Sequence, residues 1–407
     1  MEGLLCRWGR LCISTSGTSH RGIGLMAVCC PVCDKPLGDP LYRSTHGSSL
    51  DSLGRVLPFE TRVHHCPTCN HVATEPIPDL ERYYADNYRI SLGSDEEDQL
   101  YEVVGDKKIF RTDHQAKLLT ELVDWHPGMK VLDYGCAKAS TFRKALTDLP
   151  AIELSLFDVS HDYRMFWDSF VPQERQAVDV LPIEWESRFD LVTSFFSLEH
   201  IANPRHALQE IASLLTNDGH LYLVVPDMFA NPGDFVVLDH VNHFTRASLA
   251  RLITDAGLSI SWVRSDVHRG ALVALASNGN KTQDPVLDSG EDHDVHVLSD
   301  WWNRIVGRIL ARERESNSLS GIYGAGFYGS FIFACLENPG RVQCFLDNNP
   351  FLHNRLHLGL PVLRPMACPP AVKDLWIGLN PLHARRIMAD MDLGDASPRE
   401  LHLAEET

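Results

Sequence analysis

The sequence lacks any apolar run of the roughly eighteen residues that a membrane-spanning helix needs. An integral membrane protein is therefore not expected, and the cytoplasm is the expected compartment. Positive charge is also scarce, with 37 Lys and Arg against 54 Asp and Glu and a formal net charge of -17. A duplex-binding surface needs a clustered excess of cations, so nucleic acid is not an expected partner. An anionic small molecule is not excluded, because one local Arg or Lys suffices to hold it. An evenly spaced cysteine framework is missing too: the eleven cysteines are an odd number, and seven of them fall in the first 69 residues. A chain of 407 residues can stabilise itself by burial, which makes a disulfide scaffold a poor reading and a metal site a better one.

The length suggests two or more large domains, and 44% hydrophobic with 22% charged residues is ordinary for a globular chain. Residues 1–25 carry three arginines, one acid and many Ser, Thr and Gly residues. That composition fits a transit peptide or a mis-called start with Met26 as the true first residue; the segment is expected to lie outside the fold. Next come Cys30-Pro-Val-Cys33 and Cys66-Pro-Thr-Cys69-Asn70. Two Cys-x-x-Cys turns can complete a tetrahedral zinc site that leaves no open position, which makes the metal structural. Asn70 suits the left-handed conformation that follows such a turn. The gap exceeds that of a compact ribbon and predicts an extra hairpin over about 41–63. Cys29, His64, His65 and His71 are substitute ligands, and two unrelated turns, one of them redox-active, are the alternative.

From 127 to 277 the sequence reads as alternating strands and helices. Residues 78–126 before it read as a helical connector ending in Leu118, Leu119, Leu122 and Val123 at helical spacing. Strands are predicted at Lys130–Tyr134, Leu154–Val159, Asp190–Phe196 and Gly219–Pro226, with a closing antiparallel pair at Trp262–Val267 and Leu272–Ala276. The segment "SLEHIANPRHALQEIASLL" is predicted as a helix. Such alternation implies an α/β fold, a doubly wound, mostly parallel sheet with its ligand beyond the carboxyl ends of the strands. The turn after the first strand, "VLDYGCAKAS", has Gly135 but alanines at 137 and 139 where nucleotide-binding loops favour glycine. Alanine there predicts negative φ at both positions, with Lys138 pointing outward.

The motifs "VLDYGC", "LFDVS", "FDLVTSFFSLEHIANP", "GHLYLVVPD" and "DHVNHFTRASLARLITDAGL" resemble those of class I S-adenosylmethionine (SAM) dependent methyltransferases. With a cysteine-rich module before them and a further domain after, the chain resembles the three-part sugar C-methyltransferases. These have a zinc-binding N-terminal domain, a SAM-binding core and a Rossmann-like C-terminal domain. The resemblance implies SAM as cofactor, Zn2+ at Cys30, Cys33, Cys66 and Cys69, and a small-molecule acceptor, a nucleotide-sugar. It places SAM on Asp133, Gly135, Cys136, Asp158, Asp179 and Phe196. Asp133 orders the loop or reaches the amino group, Asp158 accepts the ribose hydroxyls, and Asp179 faces the adenine amine. It implicates an acid-His pair after the fifth strand in deprotonating a carbon beside a ketone. Here that pair is Asp239-His240, with His240 the candidate base, Asp239 its orienting acid and His243 the runner-up. The family's usual tyrosine is Val237 here, and Asp replaces Glu. Glu199-His200 is a second acid-His pair of structural or catalytic use. Tyr84 and Tyr88 could cover the pocket or staple a helix.

Residues 278–318 read as a polar linker followed by an amphipathic helix. Residues 319–407 read as a smaller Rossmann-like domain, in which Gly324-x-Gly326-x-x-Gly329 lies between strand and helix and Asp347 ends the next strand. NAD, the nucleotide part of a substrate, or packing alone are its open readings. Transfer to an oxygen of a sugar or other small acceptor is the alternative chemistry, and a non-catalytic scaffold role in glycan assembly is the alternative class.

Overall fold

A computed structural model describes residues 28–84, 100–104, 107–279, 286–287, 294–389 and 400–402. Residues 1–25, Tyr88 and part of the 278–318 linker fall outside this set. The chain divides into two compact units. The first comprises residues 1–38, 66–231 and 241–291, and the second residues 39–65, 232–240 and 292–407. No helix among the described residues is long and apolar enough to cross a membrane.

The core of the first unit is an eight-stranded sheet. Its strands are β1 (Lys130–Tyr134), β2 (Glu153–Asp158), β3 (Gln176–Val178), β4 (Phe189–Phe195), β5 (Leu215–Pro226), β6 (Ser259–Arg264), β7 (Ala271–Ser277) and β8 (Val286–Leu287). Their spatial order is β3-β2-β1-β4-β5-β7-β6-β8. β1 to β5 run parallel, and β7 is antiparallel to both β5 and β6. The order reverses between β1 and β4, the topological switch point at which open α/β sheets bind ligands. The middle strands bury apolar residues at successive positions, as strands covered on both faces do: Val131, Leu132, Leu156, Leu191, Val192, Leu221 and Leu223 are fully buried.

The helices follow their capping chemistry. The sequence predicts a helix from Ser197 onward, but Leu198–His200 makes only a 3-10 turn and the helix α3 starts at Pro204 (Pro204–Leu214). A residue before proline disfavours the helical region, while proline at the first position loses nothing; Asn203 Oδ1 supplies the cap to His206 N at 3.2 Å. α4 (Arg246–Asp255) opens on a capping box, Ser248 N donating to Thr245 Oγ1 at 3.1 Å and Thr245 N to Ser248 Oγ at 2.9 Å. The expected helical connector is only partly helical. An antiparallel hairpin, Leu100–Val104 with Lys107–Phe110, leads directly into α1 (Arg111–Leu122). α2 (Ser140–Ala145) follows the cofactor-type loop.

The second unit is built on a six-stranded sheet. Its strands are β9 (Ser320–Tyr323), β10 (Val342–Leu346), β11 (Leu356–His357), β12 (Leu360–Leu363), β13 (Asp374–Ile377) and β14 (Glu400–His402), in the order β11-β12-β10-β9-β13-β14. Long α5 (Val295–Glu315) and α6 (Phe327–Cys335) belong to it. Trp302 of α5 is fully buried, its Nε1–H donating to Pro232 O at 2.9 Å and its ring 4.7 Å from Phe331. The stretch expected to form one hairpin forms two antiparallel pairings, Tyr42–Arg43 with Arg62–Cys66 and Ser49–Leu50 with Val56–Leu57. Its residues 39–65 group with this second unit.

Candidate active site

The site of the first unit is a loop flanked by two buried acids. Asp133, the penultimate residue of β1, is 2% exposed, and its Oδ1 accepts from Thr193 Oγ1 of neighbouring β4 at 2.8 Å. Asp158 ends β2 at 7% exposure and accepts two backbone N–H groups, Ala137 N at 2.8 Å and Ser160 N at 2.9 Å. The loop between them is clamped at every step. Gly135 N and Cys136 N donate to Phe157 O at 2.9 and 3.1 Å, and Trp167 Nε1–H donates to Ala137 O at 2.7 Å. Gly135 has φ +70°, and a Cβ there would fall 2.7 Å from Ser197 Cβ, so this position demands glycine on two counts.

The alanines contradict the expectation of negative φ. Ala137 has φ 45° and Ala139 φ 54°, both left-handed. A Cβ in that region costs about 1–2 kcal/mol per residue. The bonds from Ala137 N to buried Asp158 and from Trp167 to Ala137 O hold the loop in place against that cost. Lys138 is likewise not outward. It is 7% exposed, between the two left-handed alanines, with its amine 5.8 Å from the Phe166 ring centre.

Burial dominates the electrostatics of the two acids. It pushes the Asp133 carboxyl up to about 7, against the Thr193 hydrogen bond that lowers it and with Asp158 raising it further. Burial also raises Asp158 to about 6, partly offset by the N–H groups it accepts. Both favour a cationic ligand that restores their charge.

Two other expected cofactor residues stand at the same edge. Asp179 follows β3, exposed and left-handed at φ 67°, its N–H donating to Asp158 O at 3.0 Å. Phe196 follows β4 with φ 51°, which is strained for a bulky residue. Its ring lies 5.0 Å from the Arg111 guanidinium.

The expected metal ligands converge. Cys30, Cys33, Cys66 and Cys69 have sulfur atoms within 4.8 Å of one another, with 3.6 Å between Cys30 and Cys69 and 3.4 Å between Cys33 and Cys66. Four thiolates at about 2.3 Å from zinc lie about 3.8 Å apart along a tetrahedron edge, close to these spacings. Each turn ends on a left-handed polar residue, Asp34 at φ 57° and Asn70 at φ 57°. The N–H of each returns to the first cysteine carbonyl of its turn, at 3.0 and 2.9 Å. Arg205 of α3 braces the first turn through Asp34 Oδ2 at 2.9 Å. His71 is not part of the cluster; it is buried between Ser248 Oγ and Asn242 Oδ1.

The candidate base residues fall in different units. Asp239 and His240 belong to the second unit, while His243 belongs to the first. His240 Nδ1 pairs with Asp234 Oδ1 at 2.5 Å, an acid that sequence reading overlooked. The Asp239 carboxylate is fully buried and accepts Ser52 N at 2.6 Å and Ser52 Oγ at 2.8 Å. Adjacent residues in this segment project to different neighbours, whereas Asp234, six residues back in a 3-10 turn, faces the imidazole. Burial raises the Asp239 carboxyl, with the His240 charge lowering it. His243 is 1% exposed, lies in a short strand paired with His71–Thr74, and shares its Nε2 with Thr74 Oγ1 at 2.8 Å, a structural placement. Glu199 is 1% exposed beside His200, whose Nδ1 lies 2.6 Å from Tyr84 Oη.

In the second unit, Gly324 (φ +100°) and Gly329 are glycine for close packing. A Cβ on Gly329 would collide with the Gly324 carbonyl, and one on Gly378 would meet Gly329 N at 2.7 Å. Asp347 Oδ2 accepts Ala325 N at 2.9 Å, repeating the clamp that Asp158 makes on Ala137.

Residues 110–261 match the family model described as a methyltransferase domain. The uncharacterized methyltransferase YcgJ of Bacillus subtilis (strain 168) is 26% identical over 167 residues, which is 39% of this chain and 63% of that relative. The chain therefore spans less than two thirds of that curated relative's length. Among solved structures, a SAM-dependent methyltransferase from Mesorhizobium loti is similar at 14% identity and a TM-score of 0.34. That match covers 40% of this chain and 97% of the other. The CurJ carbon methyltransferase is similar at 15% identity and a TM-score of 0.33, over 40% and 51% of the two chains. Residues 110–261 thus match a methyltransferase domain and carry the Rossmann-like, mostly parallel core of the first unit.

Proposed function

We propose that this protein transfers a methyl group from SAM to a carbon of a nucleotide-linked ketosugar, and that zinc on the four cysteines holds its N-terminal turns together. The observation that carries the SAM reading is the clamped loop: buried Asp133 and Asp158 flank it, and Gly135 abuts Ser197. Asp133 would hold the amino group of SAM, Asp158 the ribose hydroxyls and Asp179 the adenine amine, with Gly135, Cys136 and Phe196 lining the cofactor. When bound, SAM supplies an electrophilic methyl group. The chain must supply position and a base. His240 is the proposed base, with Asp234 fixing its tautomer by accepting from Nδ1 and stabilising the imidazolium formed when the proton leaves the carbon beside the ketone. His243 is not proposed as a base, because Thr74 engages its Nε2.

The sugar assignment rests on the resemblance of domain order and the segment from Leu238 to Phe244. Calorimetric titration with SAM tests the cofactor: no heat and no thermal shift at millimolar SAM would remove the enzyme reading. Mass and NMR analysis of the product from a nucleoside-diphosphate ketosugar separates carbon from oxygen transfer.

A further inference from the structure

Outside the residues assigned above, the first unit holds a cluster of rings around His268, in the turn between β6 and β7. His268 is 3% exposed. Its Nδ1 lies 3.1 Å from the Arg269 carbonyl oxygen, which can only accept. Nδ1 therefore carries the proton, and the lone pair is on Nε2. That Nε2 is buried and has no hydrogen-bond partner among the described residues. Leaving a buried acceptor unpaired is costly, and a native structure tolerates it where something else completes the bond.

The surroundings indicate what completes it. The imidazole is edge-on to Phe196 at 5.6 Å, to Tyr101 at 5.3 Å and to His114 at 5.1 Å. His114 and Tyr101 stack at 4.2 Å and 14°, and Tyr101 Oη accepts from Arg269 N at 2.8 Å, so the turn that carries His268 is tied to the hairpin. Phe196 is the residue held in a strained left-handed conformation, and its successor Ser197 is the residue pressed against Gly135 of the cofactor loop. An unpaired buried acceptor and a strained aromatic thus meet beside the clamped loop at the switch point of the sheet. Burial also drives the imidazole down to about 4, so it stays neutral near neutrality.

We propose that His268 Nε2 accepts a hydrogen bond from a hydroxyl of the acceptor, with Phe196 and Tyr101 packing on the sugar ring. His268 is then a specificity-determining residue that selects a hydroxylated ring over its deoxy analogue. This rests on the methyltransferase reading above. The neutral ring positions the acceptor and does not serve as the base; its low basicity suits it to receiving a hydrogen bond.

The test has two arms. In the first, NMR of isotope-labelled histidine in the full-length protein near neutral pH assigns the tautomer. A proton on Nδ1 and none on Nε2 is expected, and a proton on Nε2 would overturn the inference without any acceptor present. In the second, a nucleoside-diphosphate ketosugar and its deoxy analogue are compared in tritiated methyl transfer. His268→Leu should raise the KM of the hydroxylated acceptor about tenfold while leaving that of the deoxy analogue, the SAM affinity and the melting temperature near wild type. His268→Gln, which keeps an acceptor oxygen, should recover part of the loss. Equal KM in wild type and His268→Leu, or a loss of SAM affinity in step with KM, would overturn the assignment. Failure of the wild type to bind SAM would instead remove the methyltransferase reading and leave the tautomer result standing.

Discussion

Acidification should weaken SAM binding by an amount that the two buried acids determine. Asp133 and Asp158 have carboxyls raised to about 7 and about 6, and both must be ionised to hold an ammonium and a pair of ribose hydroxyls. The free energy of emptying each carboxyl of its proton rises as pH falls below its pKa. Between about pH 7.5 and about pH 5.5 that cost grows by about 1.9 kcal/mol for Asp133 and by about 0.8 kcal/mol for Asp158. Together they predict SAM affinity about a hundredfold weaker at the lower pH. Calorimetry in buffers of different ionisation enthalpy should show protons released on binding below about pH 7. The same groups act on folding with the opposite sign. The folded apo-protein binds more protons than the unfolded chain between the ordinary aspartate value near 4 and the raised values, so apo stability falls as pH rises through that window, and SAM restores it. Asp133→Asn should reduce the pH dependence of binding to about the fourfold that Asp158 contributes. An affinity constant within about threefold across this range, or one that strengthens on acidification, would refute the assignment of these acids to a cationic cofactor.

The remaining predictions concern the loop, the cysteines and the dyad. Ala137→Gly removes about 1–2 kcal/mol of left-handed strain against about 0.5–1 kcal/mol of added chain entropy, so urea unfolding should show no loss or a slight gain of stability. Ala139→Gly also gives up a methyl that is 1% exposed, worth about 0.8 kcal/mol, and should come out about that much less stable than Ala137→Gly; a reversed ranking would count against the geometry. Metal analysis should find about one zinc per chain, and chelation should lower the melting temperature; a Cys66→Ser variant with undiminished zinc would remove the four-cysteine site. Asp234→Asn should cut kcat about a hundredfold with SAM affinity unchanged, whereas equal turnover would show that the acid-His pair is structural.

Much of this was legible in the sequence because it depends on periodicity and on residue type at strand ends. Strand-end Asp133 and Asp158 could be found because apolar runs show where strands stop, and the paired Cys-x-x-Cys turns carry their geometry with them. The left-handed alanines could not be found. Their φ depends on the bonds that Asp158 and Trp167 make to Ala137 from 21 and 30 residues away, and no local preference reports such bonds. Asp239 looked like the partner of His240 because it is adjacent, yet Ser52 holds its carboxylate, and Asp234 faces the imidazole.

His268 is the clearest case of a residue that only the tertiary structure brings forward. In "SDVHRGALV" it is one histidine in a polar turn; in the fold it meets rings from the hairpin, from α1 and from the end of β4. The sequence by itself determined the parallel α/β core, the acids at the ends of its first two strands and the cysteine quartet, since these follow from burial patterns and from the chemistry of neighbouring residues. Tertiary structure alone decided which acid serves which histidine and which backbone angles the loop must adopt. It also decided that His268 Nε2 is buried with no partner among the described residues, because hydrogen bonding and burial are settled by residues far apart along the chain.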